Sequence, residues 1–76
     1  MLPIQCRMAR AALGLKIADL AERAGMSTNT VVRFETGYEL KQSTVDELRA
    51  VLEEAGIIFI PENGEGPGVR LQKSRS

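Results

Sequence analysis

Histidine is absent from the 76 residues, and cysteine occurs once, at Cys6. Without histidine there is no His-based triad, no imidazole acid–base pair and no Cys/His zinc site. A single cysteine closes no internal disulfide, a usage that suits a reducing compartment, so the chain is expected to be cytoplasmic. Long apolar runs are missing too, and nothing approaches the about 18 residues needed to span a bilayer. The first ten residues, MLPIQCRMAR, place basic side chains in an amphipathic pattern without an apolar h-region, so no signal peptide is expected. Net charge is zero, with ten Lys and Arg against ten Asp and Glu.

What remains is an ordinary globular composition, 43% hydrophobic and 26% charged. At this length it makes one domain near the lower limit for a self-supporting core. The zero net charge, at first sight unfavourable to a nucleic-acid partner, conceals a polarised chain. Residues 1–34 carry five cations against two carboxylates, a net +3. Residues 35–65 carry two cations against eight carboxylates, a net −6, and residues 66–76 return to +3. Taken alone, such blocks are most simply a solvated surface.

Local signals divide the chain into elements. Pro3 suits the first turn of a helix, Cys6, Ala9 and Leu13 form its apolar stripe, and Gly14 followed by Leu15 supplies the stop, which predicts helix 3–13. Ile17, Leu20, Ala21 and Ala24 mark a second helix over 17–24, ended by Gly25. Ser27 caps a third, over 27–36, with Val31 and Phe34 as its inward pair and Gly37 as its end. The spacing Ser43-x-x-Asp46 resembles a capping box and predicts a fourth helix over 44–55. Its expected buried residues are Val45, Leu48, Val51 and Leu52. After Gly56 the pattern changes, and IIFIP, ENGEGPG and VRL predict a hairpin pairing 57–61 with 69–71. Two strands are marginal alone, so they need helix 4 or a second chain as a partner surface. Residues 72–76 are expected to be a disordered tail.

The second and third helices, joined by Gly25-Met26-Ser27, fit a helix-turn-helix. The match is carried by Leu13-Gly14-Leu15, Leu20-Ala21, Gly25, Ser27, Thr30-Val31 and Glu35-x-Gly37. With these residues the chain resembles the phage-repressor and Cro (XRE-like) helix-turn-helix regulators over roughly residues 4–56. The resemblance implies a mainly α, four-helix, lambda-repressor-like domain over 1–56. The 57–71 hairpin stands where relatives often carry a fifth helix.

The resemblance also implies roles. Thr28, Asn29 and Arg33 match positions that face base edges, and their chemistry agrees: Asn suits adenine, Arg suits guanine, and Thr offers a hydroxyl and a methyl to thymine. Ser27 and Thr36 match phosphate-bonding positions, and the N-terminus of the second helix points at phosphate. Relatives often carry glutamine where this chain has Ile17, so Lys16 beside it is the expected substitute. Lys41, in the following loop, is a further phosphate candidate. Arg10 and Glu35 match a structural salt bridge that fixes the third helix against the first.

Read without the resemblance, Thr28 and Asn29 are good helix-start residues with solvated side chains. Cys6 on the apolar stripe is a small core hydrophobe, and Met26 serves packing. Glu53 and Glu54 face different sides of a helix and make a poor acid–base pair. No catalytic constellation, metal set or cofactor motif stands out, so no enzyme is expected. The expected function is a DNA-binding transcriptional regulator, a repressor rather than an activator, acting on double-stranded DNA as a homodimer joined through 57–71. The alternative is an antitoxin-like module, in which the strand edge near Ile57 to Ile60 receives a partner protein while the chain represses its own operon.

Overall fold

The computed structural model describes residues 1–72. In chain order these form α1 (Pro3–Leu13), α2 (Ile17–Ala24), α3 (Thr28–Glu35), α4 (Gln42–Glu54), β1 (Ile57–Ile60) and β2 (Gly68–Leu71). Four helices and one short antiparallel sheet make the domain mainly α.

Local chemistry explains the first three helices. Pro3 sits at the start of α1, where its missing N–H is no loss, and the Leu2 N–H donates to Gln5 Oε1 at 2.8 Å. At the start of α2, the Lys16 N–H donates to Asp19 Oδ2 at 2.9 Å. At the start of α3, Ser27 Oγ accepts from the Thr30 N–H at 3.2 Å. Gly25 ends α2 at φ 67°, a left-handed conformation in which Met26 N–H reaches back to the Ala21 carbonyl at 3.0 Å. Gly37 closes α3 in the same manner, with Tyr38 N–H donating to the Arg33 carbonyl at 2.9 Å.

The fourth helix departs from expectation at its start. It begins at Gln42 with Lys41 in the cap position, so Ser43 lies inside the first turn and caps nothing. Asp46 instead accepts from the Gln42 side chain at 2.9 Å. The reason is tertiary: Leu40 packs against the core and brings the chain into the helix early, ahead of the better capping residue. Val45, Leu48 and Leu52 are buried as the stripe requires, whereas Val51 is only half-buried at its edge.

The core is Cys6 and Ala9 from α1, Leu20 and Ala21 from α2, Val31 and Phe34 from α3, the α4 stripe, and Ile57. The hairpin register pairs Ile57 with Leu71, Ile58 with Arg70, Phe59 with Val69 and Ile60 with Gly68. β1 thus ends one residue short of its expected span 57–61, and β2 begins one residue ahead of its expected span 69–71. The strands lie on the domain itself, β2 against α1 and β1 against α4. Alternation puts Ile57, 3% exposed, into the core and leaves Ile58 42% exposed. The Arg49 guanidinium stands 5.1 Å from the centre of the Phe59 ring, a further tie between α4 and β1. Gln72, first in the segment expected to be disordered, donates its N–H to the Gly56 carbonyl at 2.7 Å. The rest of that segment, residues 73–76, lies outside the described residues.

Candidate nucleic-acid interface

The outward face of α3 follows from its inward one. Val31, Phe34 and Glu35 are buried, so helical geometry turns Thr28, Asn29, Val32, Arg33 and Thr36 to solvent. Asn29 and Arg33 are one turn apart and therefore neighbours on that surface. Among the described residues, the side chains of Thr28, Asn29 and Arg33 have no hydrogen-bond or ion-pair partner. Their donors and acceptors are available to a ligand.

The four expected phosphate residues stand in different states. Lys16 is exposed at the N-terminus of α2, but its own N–H is taken by Asp19, whose carboxylate sits where an anion would otherwise be favoured. Ser27 is exposed, and its hydroxyl lies 2.9 Å from Thr30 Oγ1 in addition to its capping bond. Thr36 donates its hydroxyl to the Val32 carbonyl at 2.9 Å, with the Arg33 carbonyl at 3.1 Å. That proton reaches a phosphate only if the side chain rotates away. Lys41 is exposed at the start of α4.

Behind the face, Arg10 grips Glu35. Arg10 Nε donates to Glu35 Oε2 at 2.9 Å and the second guanidinium nitrogen to Oε1 at 2.8 Å, a fork on both carboxylate oxygens. A third donor reaches the Leu15 carbonyl at 3.2 Å, just past the end of α1. The hydrogen bonds to Glu35 raise the already high pKa of the guanidinium. Cys6 Sγ completes the cluster, donating to Glu35 Oε2 at 3.4 Å. Burial, reinforced by the neighbouring carboxylate, pushes the Cys6 thiol up to about 12, so it remains protonated and inert at neutral pH. Each side-chain nitrogen of Arg10, both carboxylate oxygens of Glu35 and the Cys6 sulfur thus have a partner within the protein.

One structural residue escaped the sequence reading. Gln5 is 4% exposed, and its side-chain nitrogen donates to the carbonyls of Ile60 at 2.9 Å and Gly68 at 3.0 Å. It binds the two strands to α1 at the turn end of the hairpin. The signal available was a polar residue one turn before Ala9 on the buried side of α1.

The helix-turn-helix family model matches residues 7–56, from within α1 through α4 and the turn after it. The chain therefore belongs to the XRE-like helix-turn-helix family of DNA-binding regulators. No curated protein matches it. Among the described residues, no helix is long and apolar enough to cross a membrane.

Proposed function

We propose that this regulator is a sequence-specific transcriptional repressor that reads the major groove with α3 and binds DNA as a homodimer. The observation that carries the reading is the unpartnered polar face of α3. Thr28, Asn29 and Arg33 stand exposed on a helix pinned from behind by Val31, Phe34 and the Arg10–Glu35 pair. Asn29 suits an adenine edge and Arg33 a guanine edge, each through two hydrogen bonds, while Thr28 offers a hydroxyl and a methyl. Lys16, Ser27, Thr36 and Lys41 are proposed phosphate contacts that set the register of the helix on the duplex.

One short helix reads too few bases for specificity, so two copies on an inverted repeat are the economical arrangement. The two-stranded sheet of 57–71 supports this, since its outer edges and the exposed Ile58 and Leu71 offer a second copy both backbone and apolar contacts. The acidic middle of the chain would limit non-specific attraction to DNA.

Selection of the purified protein against random duplex DNA at physiological salt tests the reading. An enriched inverted repeat with half-sites about 34 Å apart is expected. A folded protein that enriches no motif overturns it and favours a partner-binding, antitoxin-like role.

A further inference from the structure

Resting on that DNA-reading role, we infer that Val32 is a fourth specificity-determining side chain, one that packs on the C5 methyl of a thymine. Val32 is 39% exposed, whereas its neighbour Val31 is fully buried and does the packing for this turn of α3. On the helix surface Val32 is bordered by Asn29 at i−3, Thr28 at i−4 and Thr36 at i+4, all exposed and polar. It stands outside the hydrophobic core cluster.

Single apolar residues are ordinary on most surfaces. Here the position decides, because this valine lies inside the face that meets base edges. A β-branched residue is also a poor choice for an exposed helix position, since it gives up side-chain freedom against the preceding turn. That same stiffness makes it a preorganised apolar surface for a ligand. Among the four bases only thymine presents a methyl in the major groove, and valine has no donor or acceptor for any other edge or for phosphate. Each half-site therefore contains a thymine beside the base pairs met by Thr28 and Asn29, and its methyl is read by shape alone.

The test replaces each thymine of the selected duplex, one at a time, by deoxyuridine, which deletes only that methyl. Dissociation constants are measured by fluorescence anisotropy for the wild type, Val32→Ala, Val32→Gln and Thr28→Ser. At one thymine per half-site the wild type should lose about fourfold, the ~0.8 kcal/mol expected for one buried methyl. Both Val32 variants should lose that sensitivity and Thr28→Ser should keep it. Alanine and glutamine are better helix formers than valine, so two independent variants guard against a folding defect, checked by circular dichroism. A deoxyuridine penalty that persists in both Val32 variants overturns the inference. So does its absence in the wild type, or its disappearance in Thr28→Ser. If the folded protein enriches no DNA site at all, the DNA-reading role itself fails and the inference falls with it.

Discussion

Arg10 holds Glu35 by two parallel hydrogen bonds of 2.9 and 2.8 Å, joining the last turn of α1 to the last residue of α3. The two side chains are unequally covered, 21% exposed for Arg10 and 4% for Glu35. Each partner therefore leaves a different problem when the other is removed. Arg10→Met strands a buried carboxylate whose one remaining partner among the described residues is the Cys6 thiol. A loss of about 3–5 kcal/mol is expected from breaking such a pair. Glu35→Gln should cost less, because water can reach the guanidinium. Urea denaturation of both variants measures the difference, and equal losses would refute this asymmetry.

Gln5 ties the hairpin to α1 through the carbonyls of Ile60 and Gly68. Gln5→Leu keeps the volume but leaves both acceptors without that donor, a penalty of about 1–3 kcal/mol. Amide hydrogen exchange should accelerate across 57–71 while α2 and α3 keep their protection. If the hairpin also joins two copies, dimer dissociation measured by analytical ultracentrifugation should rise with it. Unchanged exchange in the strands would show that apolar packing alone holds the sheet.

The Cys6 thiol carries a pH signature. Its folded pKa is raised from 9.0 to about 12, chiefly by burial. Between those values the unfolded chain releases a proton that the folded one keeps, so stability is complete below pH 9 and declines as pH rises toward 12. The slope is about 1.4 kcal/mol per pH unit. Cys6→Ala should remove this contribution, visible as a shallower fall in melting temperature against pH than in the wild type. Parallel profiles for the two proteins would exclude the thiol as the source.

Base and phosphate contacts should separate by substitution. Asn29→Ala and Arg33→Ala are expected to lose about 1–3 kcal/mol each on the selected site and to relax the preference at one base pair. Lys41→Ala should weaken specific and non-specific DNA alike and lower the salt dependence by about one unit of slope. Affinity titrations at several salt concentrations distinguish the two. A uniform loss from Arg33→Ala would move that residue to the phosphate class.

Much of the helical frame was legible because its signals are local. Pro3, Ser27 and the glycines at 14, 25 and 37 each act within a few residues, and α1 and α2 run over the spans those signals predict. The start of α4 was misread for the opposite reason. Ser43 is the better capping residue in isolation, yet the packing of Leu40 sets the entry into the helix at Lys41. Asp19 shows the same limit at the candidate site. Its spacing from Lys16 can be read from the chain, but not that its carboxylate would occupy the N–H at the start of α2.

Periodicity and turn chemistry thus suffice for four helices and the apolar side of α3, which depend on neighbours three or four residues away, and the turn formers between the two β-rich runs mark the strand pair. Packing decides the contacts between distant residues. Gln5 meets a carbonyl 55 positions along the chain, a contact that exists because the strands lie on α1 and α4. Spacing from Phe34 already turns Val31 rather than Val32 inward; what packing adds is the degree of burial, complete for Val31 while Val32 stays 39% exposed.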